Sequence, residues 1–292
     1  MQQSDKWSNW LLTTRFGGNK EFRDRTLEVL SQIRDRIITN ADIGEGQTVL
    51  DIGTGDGLLG FKAAELVGPN GRVILADISE AVIEHLKEFT QGDEGASNIE
   101  LLVSSVDDLS AIPSESVDRI IARAVMIYVA DKQKCFDEFF RILKPGGKIS
   151  VCEPINKRLQ ELKRPGYLFG YSIAPLGEVG ERVIAEYNKN LPVTSTMSDF
   201  NEHDLFLFAR NIGFDNIKLN YELSFSTQAK FPAWEIVLNS RPNPNSPTLD
   251  EILLRTLNKQ EIETFIDYLK PKVENEFGFW TTAQAFLHAQ KN

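Results

Sequence analysis

The stretch Val49 to Gly60, VLDIGTGDGLLG, decides how this chain is read. An apolar run ends at Asp51-Ile52 and passes into a turn with glycine at 53, 55 and 57, and the residues that follow have the composition of a helix. Glycine there admits positive φ and lets a bulky ligand approach the main chain, while the first amides of the next helix lack intrahelical partners. The pattern predicts a strand at Thr48 to Ile52, a cofactor-binding turn, and a helix from Gly57 to Val67 stopped by Gly68-Pro69-Asn70-Gly71.

Two cofactors compete for such a turn. Gly55, Gly57 and Gly60 also satisfy GxGxxG, and Asp77 follows Gly55 by 77 − 55 = 22 residues at the end of a second apolar run, as in dinucleotide sites. Asp51 and Asp56 argue against a nicotinamide dinucleotide, because their carboxylates would lie close to its anionic pyrophosphate. They suit S-adenosylmethionine, whose amino-acid end carries an ammonium and a sulfonium and whose ribose diol donates hydrogen bonds to an acid such as Asp77.

Four segments occur in a telling order: VLDIGTGDG (49–57), GRVILADIS (71–79), SSVDDLSAIPSESVDRIIA (104–122) and RILKPGGKISVCEP (141–154). From about Ile43 to Pro154 the chain resembles class I S-adenosylmethionine-dependent methyltransferases, of the small-molecule kind related to the ubiquinone and menaquinone C-methyltransferases. The resemblance implies an α/β fold: a Rossmann-like seven-stranded, mostly parallel sheet with an antiparallel last strand, helices on both faces, and helical lid and cap insertions. It implies S-adenosylmethionine as cofactor and a C, O or N atom of a small organic molecule as acceptor. Carried over residue by residue, it places Asp51, Gly53, Thr54, Gly55 and Gly57 along the methionine and ribose, with Asp51 reaching the ammonium directly or through water. Asp77 takes the ribose hydroxyls and Ile78 covers the adenine. Ser104-Ser105-Val106-Asp107 departs from the Gly-Asp-Ala that relatives often carry; here the Val106 amide meets the adenine ring and Ser105 or Asp107 accepts from its amino group.

Composition narrows the function class. The chain has 292 residues and 41% hydrophobic content, enough for one elaborated domain or a domain plus cap, and its net charge of 32 − 42 = −10 with no run of Lys or Arg argues against a nucleic-acid substrate. Lys157-Arg158 and Lys163-Arg164 read as solvated surface, with binding of a small anion as the alternative. Cys135 and Cys152 lack metal-ligand spacing, are fewer than arsenic-methylating relatives need, and read as small buried side chains. With three scattered histidines no catalytic metal is expected. The amino terminus, MQQSDKWSNWLL, lacks a basic leader region, and no apolar run approaches the roughly 20 residues of a membrane span. A cytoplasmic monomer or homodimer is the expectation.

Periodicity, read with the resemblance, divides the chain into an amino-terminal helical lid at 1–42, a core at 43–154 and the end of the core sheet at 201–292 with a helical insertion at about 231–276; the resemblance implies that the core binds the cofactor and that 155–200 is a substrate cap. In the lid, Asn19 is placed to cap a helix from Lys20 to Ile38. The cap carries a helix near Glu178 to Asn188 and no evident strand. The last part holds a helix from Glu202 to Gly213, a strand from Ile217 to Phe225, and a terminal strand from Gly278 to His288.

Methyl transfer from a sulfonium is an in-line displacement that asks the protein mainly for alignment and dryness, so no signature catalytic residue need exist. The substrate-facing candidates stand at the carboxyl ends of strands, where open α/β sheets bind ligands. Arg123 can clamp a carboxylate of substrate or cofactor, or pair with a loop acid. Tyr128 can orient an acceptor or close the cofactor pocket. Glu153 can bind an acceptor amine or take a proton, with an N-cap or turn role as the competing reading. Trp10 and Arg15 precede a hinge at Gly17-Gly18 and can reach over the pocket. Two other classes of function stay open at this level: a non-catalytic cofactor-binding sensor or partner subunit, and a nicotinamide-dependent oxidoreductase.

Overall fold

Seven strands pair into one sheet, of which the first four in the chain are short runs rich in Val, Ile and Leu, as strands packed on both faces must be. In the computed structural model, which describes residues 5–90, 97–189, 195–229 and 233–292, these are β1 (Thr48–Ile52), β2 (Arg72–Asp77), β3 (Ile99–Val103), β4 (Val117–Arg123), β5 (Leu143–Pro154), β6 (Asp215–Ala229) and β7 (Gly278–Gln290). Their order is β3-β2-β1-β4-β5-β7-β6. β1 lies parallel to β2, with Val49 opposite Val73, and parallel to β4, with Leu50 opposite Ile120. β7 alone reverses, antiparallel to both β5 and β6. β5 starts earlier than the sequence predicts: Leu143 pairs with Val117, then the Lys144-Pro145-Gly146-Gly147 segment bulges, with Gly146 at φ 79°, before Lys148 pairs with Arg119.

The period-two alternation of the strands sorts the helices into two layers. Leu50, Ile52, Ile120, Ile149 and Leu287 face α5 (Lys132–Ile142) and α8 (Glu202–Ile212), through Phe136, Phe139, Leu205 and Ala209. Val49, Val73, Leu75 and Ile121 face α2 (Lys20–Ala41), α3 (Gly60–Val67) and α4 (Glu80–Thr90). Asn19 Oδ1 accepts from the Phe22 amide and starts α2 as expected, and Ser79 Oγ accepts from the Val82 amide to start α4. However, α2 is only partly a lid: Ile37, Ile38 and Ala41 are buried in this layer, and its first turns alone overhang the strand ends.

A third core lies over the carboxyl ends of the strands. It joins the segment after β5 to the insertion between β6 and β7, which the sequence treats as separate additions. A hairpin of two-residue strands (Tyr167–Leu168 and Tyr171–Ser172) and α7 (Glu178–Lys189) pack against α9 (Trp234–Asn239), α10 (Leu249–Thr256) and α11 (Lys259–Asn275). Leu168, Val183, Trp234, Leu253 and Phe265 are all buried in that one cluster. The hairpin corrects the expectation of no strand in the cap; the insertion's expected start at 231 lies outside the described residues. Among the described residues no helix is long and apolar enough to cross a membrane.

Candidate active site

The glycine turn closes around a buried acid. Thr54 Oγ1 donates to Asp51 Oδ2 at 2.7 Å, while Asp51 Oδ1 is buried with no partner. Burial pushes the Asp51 carboxyl up to about 7 against the lowering effect of the Thr54 hydrogen bond. Gly53 sits at φ 67°, and a Cβ on it would fall 2.4 Å from Val125 Cγ2. Asp77, at the end of β2, accepts from the Gly55 amide at 3.1 Å and the Ser79 amide at 3.0 Å. Burial raises its pKa above the ordinary value, and the two amides oppose that shift. Gly57 differs from the prediction. Its φ of 78° and its closeness to the Phe61 ring, 2.3 Å from an added Cβ, make it a packing requirement of the turn, and it does not line the cavity.

That cavity has a volume of about 1,150 Å³. Its wall brings together the sequence-predicted Asp51, Gly53, Thr54, Gly55, Asp77, Ile78, Ser105, Val106, Asp107, Arg123, Tyr128, Trp10 and Arg15. Ile78 is 55% exposed, so its side chain is free to cover a ring; Val106 is buried. Ser105 Oγ donates to Asp107 Oδ1, which fixes the third loop.

Glu153 is the clear correction. It is fully buried and absent from the cavity wall. Its Oε1 accepts from the amides of Val125 at 2.9 Å and Met126 at 3.1 Å, and its Oε2 from Ile127 at 3.2 Å. Burial still pushes it up to about 7, against these three amides. The carboxylate therefore serves the turn after β4, where Ala124 takes φ 56°, and holds in place the loop that presents Arg123, Val125 and Tyr128. Tyr128 has its phenol pushed well above the ordinary value by burial. Both cysteines are buried too, and burial pushes each thiol up to about 12, so neither is a thiolate ligand near neutrality.

The amino-terminal strap covers this site. Asp5 Oδ1 accepts from the amides of Trp7 and Ser8, both at 2.9 Å, capping the short helix α1 (Lys6–Asn9), and its Oδ2 accepts from Ser79 Oγ at 2.6 Å. The Trp7 ring meets Tyr128 edge to face at 4.7 Å. Trp10 Nε1 donates to the Arg241 carbonyl at 2.9 Å, tying the strap to the insertion, and Gly17 and Gly18 follow at φ 55° and 72°. Sequence reasoning singled out Trp10 and Arg15 but missed Asp5 and Trp7; the signal was Trp7 and Trp10 three residues apart on one helical face. Beyond the strap, Leu159, Phe169, Tyr187, Met197 and Trp280 form a second, more apolar lobe of the same cavity.

Residues 43–168 match a family described as a methyltransferase domain. Over this part, 126 of its 292 residues, the chain is similar to methyltransferases. Over 115 residues the chain is 34% identical to the arsenite methyltransferase of Halobacterium salinarum, covering 39% of this chain and 29% of that protein. Over 141 residues it is 30% identical to the ubiquinone/menaquinone biosynthesis C-methyltransferase of an Enterobacter species, covering 48% and 55%. The chain thus spans about half the length of such curated relatives, or less. In fold, it superposes on the YcgJ protein of Bacillus subtilis with a TM-score of 0.55 at 15% identity, covering 89% of this chain and 97% of that one. It also superposes on the [4+2]-cyclase SpnF with a TM-score of 0.51 at 15% identity, covering 89% and 81%. The family match therefore ends at residue 168, whereas the likeness in fold to YcgJ extends over 89% of the chain.

Among the described residues no group of three or more His, Cys, Asp or Glu side chains is placed to hold a metal ion. The donor set of the glycine turn fits a cationic amino-acid end, through the unpartnered Asp51 Oδ1, and a ribose diol, through Asp77 at the rim of the turn.

Proposed function

We propose that the protein binds S-adenosylmethionine on the glycine turn and directs its methyl group to a C, O or N atom of a small, largely apolar molecule held in the second lobe. The observation that carries this reading is the continuity of one cavity from Asp51 and Asp77 to the aromatic lobe built by cap and insertion. When bound, the cofactor supplies the methyl carbon together with a leaving group that already carries positive charge. Asp51 receives the ammonium, Asp77 the ribose hydroxyls, Ile78 and Val106 enclose the adenine, and Ser105 or Asp107 faces its amino group. Trp7, Trp10 and Tyr128 exclude water from the junction of the two lobes. An acidic chain with two buried thiols further suits a cytoplasmic enzyme acting as a monomer or homodimer.

The test is calorimetric titration with S-adenosylmethionine, S-adenosylhomocysteine and NADH, followed by a metabolite-pool screen for transfer of a labelled methyl group. Binding of the first two without NADH, and a labelled product, is expected. The fold alone carries other chemistry, as SpnF does, so cofactor binding without any labelled product would favour the sensor reading. NADH binding alone would overturn the proposal.

Two results should accompany that titration. Asp77→Ala should weaken S-adenosylhomocysteine by about 1 to 3 kcal/mol through loss of charge-assisted hydrogen bonds; wild-type affinity would remove Asp77 from the ribose site. An ammonium favours ionised Asp51, whose carboxyl stands at about 7 in the free protein. Affinity should therefore rise with pH below about 7, by up to about ten-fold per unit, and level off above it. Asp51→Asn should abolish that slope.

A further inference from the structure

Arg15 and Arg123 both stand on the cavity wall, and among the described residues neither side chain has a hydrogen-bond acceptor. The Arg123 side chain has no ion pair either. Arg15 has a side chain only 10% exposed, and its one ionic neighbour, Asp56, stands at 3.6 Å, too far for a hydrogen bond. The Trp10 and Phe16 rings lie 5.2 and 4.9 Å from the Arg15 guanidinium carbon and fix its place. Its pKa is lowered, chiefly by burial, with Arg123 adding to the shift and Asp56 opposing it, so the two guanidiniums repel one another. A guanidinium has about five N–H donors and no acceptor of its own, and withdrawing it from water without a partner is costly. Glu153, whose carboxyl feels the Arg123 charge, already spends both oxygens on backbone amides.

We propose that Arg15 and Arg123 form a receptor for one carboxylate brought into the cavity. Charge sets the number: within this group, two arginines against Asp56 leave 2 − 1 = 1 positive charge, which a single monoanion balances. A phosphate dianion would exceed it and face Asp51 and Asp107 as well. Planar, bidentate pairing is what guanidinium offers a carboxylate. The carboxylate has two available sources, the methionine end of the cofactor and an acidic acceptor. The first source rests on the cofactor reading above, and the second does not.

The experiment separates the sources. S-adenosylhomocysteine and S-adenosyl-3-thiopropylamine, which keeps the ammonium and lacks the carboxylate, are titrated into the wild-type protein, Arg123→Gln and Arg15→Gln. In parallel, 2-naphthoate and its neutral isostere 2-naphthamide are titrated with and without saturating S-adenosylhomocysteine, followed by the fluorescence of the cavity tryptophans. If the cofactor supplies the anion, S-adenosylhomocysteine binds the wild type about ten-fold or more tighter than its decarboxylated analogue, and Arg123→Gln erases that advantage while leaving the analogue's affinity unchanged. If the acceptor supplies it, both nucleosides ignore the substitution, whereas the preference for naphthoate over naphthamide, about ten-fold, disappears in either variant. Arg123→Lys, which keeps the charge and loses the fork, should restore only part of either effect. Wild-type behaviour of both variants in both arms overturns the receptor. Failure of S-adenosylhomocysteine to bind the wild type would strike the cofactor reading instead, and the naphthoate arm would then decide the receptor.

Discussion

Gly53→Ala is expected to abolish cofactor binding while leaving the sheet folded. Gly53 lies at φ 67°, where an L side chain costs about 1 to 2 kcal/mol. Its Cβ would also stand 2.4 Å from Val125 Cγ2 and 3.0 Å from Cγ1, an overlap that costs about 1 to 3 kcal/mol. A total of about 2 to 5 kcal/mol can be absorbed by a domain with a net stability of about 5 to 15 kcal/mol. It can be relieved only by moving the glycine turn or the turn after β4, and both line the cavity proposed for the cofactor. S-adenosylhomocysteine affinity should therefore fall about 100-fold or more, with a modest drop in melting temperature. Gly55→Ala is the control. Gly55 has a similar φ of 57°, but its nearest neighbours are the Leu11 methyls at 3.7 Å, so that variant carries backbone strain without the collision. Equal losses in the two variants would overturn the argument that contact with Val125 sets the turn.

Much of this site was legible because it is local. The residues that make the glycine turn, Asp51 to Gly57, are consecutive, and each of its three glycines takes a positive φ that the turn itself demands. The same holds for Asn19 and Ser79, whose side chains cap helices that begin at the next residue. What was not legible depends on partners far along the chain. Amphipathic α7 and α10 announce an apolar face but not its mate, so nothing before the structure joins Val183 to Leu253 and Phe265 in one core. The hairpin at 167–172 has two residues per strand, too few for a period-two signal. The strap is held by Asp5 to Ser79 and Trp10 to the Arg241 carbonyl, contacts spanning most of the chain. Glu153 could have been read better. Alternation puts it on the same face as Val151, which packs in the layer covered by α5 together with Met126 and Ile127. An acid on that side of a buried strand meets backbone amides before it meets a ligand.

Glu153→Ala is expected to be the most destabilising single truncation at the strand ends. It strips the acceptor from three backbone amides, those of Val125, Met126 and Ile127, in a place closed to water. At about 1 kcal/mol or more for each orphaned donor, with a further loss for the space left behind, the cost is about 3 to 5 kcal/mol, read by denaturant unfolding near pH 5. The released turn carries Arg123, Val125 and Tyr128, so cofactor affinity should fall as well. The pH dependence has a definite sign. Folding raises Glu153 from 4.5 to about 7 and Asp51 from 3.8 to about 7. Between about pH 4 and 7 the folded protein therefore holds protons that the unfolded chain has lost. The stability these two groups contribute is fully present at low pH, declines as pH rises through that window, and levels off above about 7. Glu153→Gln cannot titrate, so its stability should fall less steeply than the wild type's between pH 5 and 8. A general base facing the acceptor would behave otherwise. Glu153→Ala would then keep wild-type stability and cofactor affinity and lose methyl transfer alone, and that pattern would return Glu153 to the catalytic wall from which its three hydrogen bonds remove it.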